Sequence, residues 1–244
     1  MANRVRGSRS KKDVQEKLST TEELLERPEA LQDRFVDTEE YIKQHSTVFI
    51  IGAAVIVLAV AGFFGYKYYQ NNQNQTAQEE MFQAIYYFEA DSLNAALNGD
   101  GNNFGFLEIM DEFGGTDAAN LAHYYAGVIE LRQGNYEEAI DYLEDFSASD
   151  LLVQAKAYAL IGDAHMELGE YQEAASQYQK AADHKANQYF SPQYLAKAAI
   201  AYEAAGNYAS AADSYQRIID EYPEAYEYQE AQKQHARLEA LAAN

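Results

Sequence analysis

The sequence predicts an all-α protein in which a single transmembrane helix is followed by an α-solenoid of about three to four helical pairs and a C-terminal capping helix. Three features of the chain predict this fold. The first is an uncharged apolar run, the second is a short phrase that recurs three times at intervals of 35 and 37 residues, and the third is an amphipathic segment after Pro223. Recurrence at such a period is typical of stacked helical repeats rather than of one irregular core.

The apolar run occupies residues 47–66. It lies between Lys43 and Lys67, and no Asp, Glu, Lys or Arg stands between these two lysines. Its twenty residues would span about 30 Å as a helix, which matches the hydrocarbon layer of a membrane. A core helix of this length would carry a polar face, and a cleaved signal would begin nearer Met1. We therefore expect a transmembrane helix at 47–66, followed at 67–80 by a polar spacer or a continuation of the helix.

The basic residues are distributed unevenly about this run. Nine precede it, whereas only Lys67 lies between it and Arg132. The positive-inside rule therefore predicts a cytoplasmic amino terminus and places the rest of the chain on the far side of the membrane. Residues 1–46 would form a cytoplasmic arm, disordered at first and then helical. One stripe of this arm is a candidate docking face for a partner, and the alternative is a helix lying along the membrane lipid headgroups. The stripe consists of Leu31, Phe35 and Ile42.

The recurrent phrase is Gly-x-Tyr followed three residues on by Ala, at 134–143, 169–178 and 206–215. We interpret the glycine as a turn between two antiparallel helices, the tyrosine as a wedge in that turn, and the alanine as a small residue where the helices cross. Another small residue stands seven positions before each glycine, and a large one follows each alanine by four positions, on the same helical face. These positions are Gly127, Gly134, Tyr136, Ala139 and Leu143, then Gly162, Gly169, Tyr171, Ala174 and Tyr178, then Ala199, Gly206, Tyr208, Ala211 and Tyr215.

This pattern, with Pro223 ending the third unit, resembles the tetratricopeptide repeat (TPR). The resemblance implies a TPR-like domain at 81–244, with repeats at about 81–116, 117–151, 152–189 and 192–223 and a cap at 224–242. Counting back 34 residues from Ala139 gives Gly105, which predicts a degenerate leading unit with helices at roughly 77–97 and 104–113. Thr116 or Asp117 is expected to cap the next helix. The capping helix would bury one side, made of Tyr228, Ala231, His235, Leu238 and Leu241.

The sequence shows few of the residue patterns that are typical of catalytic sites. It has no cysteine, and its five histidines stand in no metal-binding spacing with one another. No glycine-rich phosphate loop, nucleophile elbow or kinase signature occurs. The sequence therefore predicts that the protein is not an enzyme and takes no cofactor or metal. The net charge of −21 resides almost entirely in the repeats and repels phosphate backbones, so nucleic acid is not an expected ligand there.

The TPR resemblance also implies a binding surface, because the first helix of each unit lines a concave face suited to an extended peptide or a partner helix. The residues expected there mix apolar side chains with charges of both signs. They lack the Lys/Asn cluster by which chaperone-binding members of the class hold a terminal carboxylate. The alternative is that several of them only pack against neighbouring helices. They are Tyr124, Val128, Leu131, Arg132, Lys156, Asp163, Met166, Gln193, Ile200 and Glu203.

A more specific resemblance covers nearly the whole chain. The segments GGTDAANLAHYYAG at 114–127, followed by GNYEEAIDYL, and STTEELLERPEALQDRF at 19–35 are similar to Bacteroidota forms of the YfgM-type ancillary subunit of the SecYEG translocon. The resemblance implies a single-pass protein of the bacterial inner membrane with a cytoplasmic amino terminus and periplasmic repeats. Its implied partners are SecYEG, a PpiD-like membrane-anchored foldase and newly exported client polypeptides. The alternative is a scaffold for envelope assembly, division or another secretion machine, without translocon association.

Overall fold

The computed structural model describes residues 43–242, so the predicted cytoplasmic stripe of Leu31, Phe35 and Ile42 lies outside the described residues. Residues 43–242 form ten helices and no strand, which confirms the all-α fold. The helices are α1 (Ser46–Glu89), α2 (Leu93–Asn98), α3 (Phe106–Glu112), α4 (Asp117–Gln133), α5 (Tyr136–Asp145), α6 (Val153–Leu168), α7 (Tyr171–Asp183), α8 (Ser191–Ala204), α9 (Tyr208–Glu221) and α10 (Tyr228–Ala242).

The chain divides into two units, residues 1–67 and 68–244. In the first unit, the described part of the chain is the apolar start of α1. Within residues 43–242, α1 is the one helix that is long and apolar enough to cross a membrane, and none of its most apolar window is buried. The helix does not end near residue 66 but continues to Glu89. Residues 67–80 are therefore helical rather than a spacer.

In the second unit, the end of α1 serves as the first helix of the degenerate leading repeat. Ala77, Met81 and Ala84 are buried, and they share an apolar cluster with side chains of α2, α3 and α4. Asn74 contributes a polar link, because its Oδ1 accepts a hydrogen bond from the backbone N–H of Ala118 at 3.0 Å. That N–H lies in the first turn of α4, where it has no partner within its own helix.

The prediction of one continuous helix at 77–97 is wrong, because the helix is interrupted after Glu89. α1 ends at Glu89, Asp91 adopts a φ of 57°, and the Ser92 N–H donates to the Tyr87 carbonyl at 2.8 Å. Aspartate visits this left-handed region more readily than most residues. The chain then restarts as α2.

The helix predicted at roughly 104–113 is present as α3. Gly105, the counterpart of Ala139 in that register, does not lie inside the helix but precedes it with extended backbone. A Cβ at this position would collide with the Leu97 carbonyl oxygen and with the Gly99 backbone nitrogen. The position is small because the chain passes close to the backbone at the end of α2, not because two helices cross there.

The three turns between paired helices have the predicted geometry. Gly134, Gly169 and Gly206 have φ values of 84°, 77° and 74°, a region that side-chain-bearing residues avoid. The residue after each glycine donates its N–H to the carbonyl five residues back, at 2.8 to 3.0 Å. This Schellman arrangement ends the first helix and reverses the chain. Each of the tyrosines that follow is the first residue of its second helix, and Tyr171 and Tyr208 are exposed, so these two do not wedge their turns as predicted.

Small residues at the helix crossings are confirmed. Ala139, Ala174 and Ala211 are fully buried. A Cβ on Gly127 would lie 2.5 Å from Leu143 Cγ, and one on Gly162 would lie 2.7 Å from Tyr178 Cε1. The two helices of each pair thus approach more closely than a larger side chain would allow.

Packing proceeds from neighbour to neighbour along the second unit. Each helix from α3 onward contacts the next, and α4 also contacts α6, as expected for a solenoid. Thr116 caps α4, with its side-chain oxygen accepting from Ala119 N, and α9 ends at Glu221 just before Pro223. In α10, Ala231 and Leu238 are buried, but Leu241 is 42% exposed, contrary to prediction. It lies in the last turn, where no later helix follows among the described residues to cover it.

Candidate partner-binding surface

The ten residues predicted to line a binding face lie on α4, α6 and α8, the first helices of three successive pairs. Several occupy equivalent positions. Val128, Asp163 and Ile200 each stand six residues before their turn glycine, and Lys156 and Gln193 each stand thirteen residues before theirs. We call these ten residues the first-helix surface.

Four members of the first-helix surface are exposed: Arg132, Lys156, Gln193 and Ile200. Ile200 stands out because an aliphatic side chain that is 52% exposed is available for contact with another molecule. Three further apolar members, Val128, Leu131 and Met166, are half-buried. The exposed part of the surface is therefore mainly on α6 and α8.

Tyr124 is half-buried and packs against other aromatic side chains. Its ring centroid lies 5.3 Å from that of Phe146 and 5.9 Å from that of Tyr125. Burial, aided by the neighbouring Tyr125 and Tyr194 hydroxyls, raises the pKa of Tyr124 to about 12. The alternative interpretation from the sequence, that some of these residues pack against neighbouring helices, describes Tyr124 well.

Arg132 is engaged with the leading unit. Its guanidinium lies 4.7 Å from the centroid of the Phe88 ring, a cation–π distance, and its Nη1 lies 3.7 Å from Asp91 Oδ1. These contacts attach the end of α4 to the end of α1. Arg132 therefore has intramolecular partners that its position in the sequence does not reveal.

Asp163 is the acceptor at the centre of a small polar cluster. Tyr178 Oη donates to Asp163 Oδ1 at 2.5 Å, and Lys197 Nζ donates to the same oxygen at 2.7 Å. Burial and the hydrogen bond to Asp163 raise the pKa of the Tyr178 hydroxyl. Lys197 Nζ also lies 5.2 Å from the centroid of the Tyr178 ring. The cluster joins α6, α7 and α8.

Glu203 is also paired within the chain. Arg237 holds it with two hydrogen bonds, Nη1 to Oε1 at 2.8 Å and Nη2 to Oε2 at 2.6 Å. These bonds lower the pKa of the Glu203 carboxyl below its usual range. The fork geometry ties α8 to α10 with a defined orientation.

Sequence reasoning missed a regularity in these charges. Three ion pairs join residues 34 positions apart, slightly less than the 35- and 37-residue intervals between the turn glycines: Asp163 with Lys197, Asp183 with Arg217, and Glu203 with Arg237. Each pair is partly exposed, so its individual contribution to stability is small. A search for opposite charges 34 positions apart would have found them.

His123 and His165 stand in different surroundings. His123 Nδ1 is buried without a hydrogen-bond partner among the described residues, and burial lowers the pKa of His123 although Asp145 acts in the opposite sense. His165 Nδ1 lies 2.7 Å from Glu170 Oε2. Within residues 43–242, no group of three or more His, Asp or Glu side chains is arranged to hold a metal ion.

Comparison with known proteins agrees with this geometry. The family model of the tetratricopeptide repeat matches four overlapping stretches, residues 113–150, 126–190, 159–226 and 196–237. No curated protein matches the chain significantly. The four stretches begin just before α4 and end within α10, so they include all three turn glycines and the whole first-helix surface. They cover slightly more than half of the chain, and the protein therefore belongs to the tetratricopeptide repeat family, whose fold is a scaffold for protein–protein interaction.

Proposed function

We propose that the protein is a single-pass protein of the bacterial inner membrane whose repeats bind other polypeptides on the periplasmic side. In this arrangement residues 1–46 are cytoplasmic, residues 47–66 cross the membrane, and the helices from α2 onward are periplasmic. Support comes from the apolar, unburied start of α1 and from the nine basic residues that precede it.

The observation that carries the proposal is the repetition of exposed first-helix positions. Lys156 on α6 and Gln193 on α8 occupy the same place in successive units, and both are exposed. Ile200 adds an exposed aliphatic contact about two helical turns further along α8. Exposed side chains at equivalent positions of neighbouring first helices suit an extended ligand such as a polypeptide.

The partners we propose are the SecYEG translocon, a PpiD-like membrane-anchored foldase and newly exported client chains. The likeness of residues 19–35 and 114–143 to the YfgM-type translocon subunit supports this choice. Anchoring supplies a physical advantage, since a ligand confined near the membrane has a high effective concentration at even a weak binding surface. Residues on α6 and α8 would contact the client while the protein remains close to the channel.

Photocrosslinking in living cells tests the proposal. A photoreactive amino acid at Gln193 or Ile200 should form adducts with SecY, the foldase or exported chains, identified by mass spectrometry. Gln172 on α7 is a matched control, because it is an exposed glutamine on a second helix, and it should give no such adducts. Adducts with division or envelope-assembly proteins and none with SecY would refute the translocon part and support a scaffold elsewhere in the envelope.

Protease treatment of spheroplasts tests the orientation. External protease should digest the repeats and spare the amino-terminal arm. Digestion of the arm with intact repeats would show the opposite orientation and would contradict the periplasmic assignment.

A further inference from the structure

A pocket of about 380 Å³ lies between two loops of the second unit. One side comes from the loop that joins α7 to α8 and from the start of α8, with Gln188, Tyr189 and Gln193. The other side comes from the end of α9 and the loop that follows, residues 221–227. We call it the tyrosine pocket, because Tyr189, Tyr222 and Tyr226 line it.

Two of these tyrosines are unusually exposed. Tyr226 is 98% exposed and Tyr189 is 69% exposed, whereas Tyr222 is 9% exposed. Neither exposed hydroxyl forms a hydrogen bond within residues 43–242. A tyrosine side chain has only two torsions to fix on binding and can bury a large area, which is why tyrosine is frequent among residues that dominate interface energies.

The same pocket carries three carboxylates, which are Glu221, Glu224 and Glu227. Glu221 is paired with Arg217 Nε at 3.2 Å, but Glu224 and Glu227 take part in no ion pair among the described residues. No basic side chain lines the pocket. The chain as a whole is also negative, with 39 acidic residues against 18 basic ones.

Exposed tyrosine rings beside unpaired carboxylates suit a positively charged planar group. A cation is attracted to the face of an aromatic ring, and a guanidinium can stack on that ring while its N–H groups donate to a carboxylate. An acidic side chain would be repelled by Glu224 and Glu227, and a neutral donor would gain a hydrogen bond without the charge attraction. Gln193 belongs both to this pocket and to the first-helix surface, so a chain lying on that surface would reach the pocket.

We propose that the tyrosine pocket binds an arginine side chain of an extended partner polypeptide. The inference rests on the proposed polypeptide-binding function and names the chemistry of the residue that is recognised. Tyr226 and Tyr189 stack on the guanidinium, and Glu224 and Glu227 accept its hydrogen bonds.

Fluorescence anisotropy with the full chain in detergent micelles tests this proposal. The probe is a fluorescein-labelled Gly/Ser peptide of ten residues with two arginines, and the matched probe replaces both arginines with citrulline, which keeps the shape but lacks the charge. The arginine peptide should bind about tenfold more tightly than the citrulline peptide. Tyr226→Ala should weaken its binding about fivefold, and the double variant Glu224→Gln, Glu227→Gln should weaken it and reduce its dependence on salt concentration.

Two control variants lie outside the pocket. Tyr86→Ala removes another exposed tyrosine, and the double variant Glu137→Gln, Glu138→Gln removes two exposed carboxylates of α5. Both should leave peptide binding unchanged, and circular dichroism should show that all variants are folded.

Three results would each overturn the proposal that the pocket binds arginine. They are equal affinity for the arginine and citrulline peptides, no detectable binding of either, and full affinity in Tyr226→Ala. Crosslinking of a partner from Ile200 that persists unchanged in Tyr226→Ala would also overturn it, while leaving the proposed function intact. Binding of the arginine peptide that depends on Tyr226, without crosslinking of any polypeptide in cells, would overturn the proposed function instead.

Discussion

Substituting Gly162 by alanine adds a single methyl group where α6 crosses α7. The new Cβ would lie 2.7 Å from Tyr178 Cε1, 2.9 Å from Cδ1 and 3.1 Å from Cζ. These separations are well below normal carbon–carbon contact. Either the ring or the backbone of α6 must therefore move.

The Tyr178 ring has little freedom to move. It is 3% exposed, and its hydroxyl is fixed by the 2.5 Å hydrogen bond to Asp163. Overpacking of a close-packed core costs about 1–3 kcal/mol, whereas replacing glycine by alanine inside a helix gains about 1 kcal/mol. Because the ring is buried and its hydroxyl is held by Asp163, we expect the upper part of the cost to apply, and hence a net destabilisation of about 1–2 kcal/mol.

Urea unfolding of the full chain in detergent micelles, followed by circular dichroism at 222 nm, measures this effect. Gly162→Ala should lower the unfolding midpoint. Gly114→Ala is the control, because its Cβ would meet only Met110 O at 3.5 Å, and it should change stability by less than about 0.5 kcal/mol.

A double-mutant cycle identifies the cause. In a Tyr178→Ala background the ring is absent, so the Gly162→Ala change should become neutral or stabilising. If Gly162→Ala is as stable as the wild type, or costs the same with and without the ring, the close-approach explanation is refuted.

Three further predictions concern individual contacts. Asn74→Ala should destabilise the leading unit by about 1 kcal/mol because α4 loses a capping acceptor, whereas Asn74→Asp keeps an acceptor and should cost less; equal urea midpoints for Asn74→Ala and the wild type would contradict this. The Glu203 carboxyl has its pKa lowered from 4.5 by Arg237, so its contribution to stability is present above pH 4.5 and is lost as the pH falls through the lowered pKa. Glu203→Gln should therefore be less stable than the wild type at pH 7, and the difference should vanish in acid; a difference that persists at pH 2 would refute the pairing. Burial raises the pKa of Tyr124 to about 12, so Tyr124→Phe should reduce the amplitude of the absorbance change at 295 nm near pH 12; a reduction near pH 10 instead would show that the side chain is exposed.

Most of the repeat architecture could be predicted because its determinants are local and periodic. A glycine in the left-handed region and a small residue seven positions earlier recur in fixed register, as at Gly134 and Gly127, so one unit predicts the next. Pro223 is equally informative, since proline is poorly tolerated inside a helix. These features need no knowledge of distant contacts.

The remaining features depend on contacts between segments that carry no shared pattern. The interruption at Asp91 occurs in the leading unit, where the recurrent phrase is absent. The link from Asn74 to Ala118 spans 44 residues and involves a side chain with many other possible partners. Similarly, the sequence does not reveal that Arg132 lies over Phe88 and is already engaged, or that Tyr189 and Tyr226 line one pocket.

The ion pairs between residues 34 positions apart restrict how this array can change in length. One extra residue inside α8 ahead of Lys197 would rotate that lysine by about 100° around the helix axis, away from Asp163 on the preceding first helix. Duplication of 34 residues would instead place a copy of each side chain at the position of its partner, so that Lys197 would face its own copy rather than a carboxylate. Length changes that keep these ion pairs are therefore expected in the loops between the helices rather than inside α8.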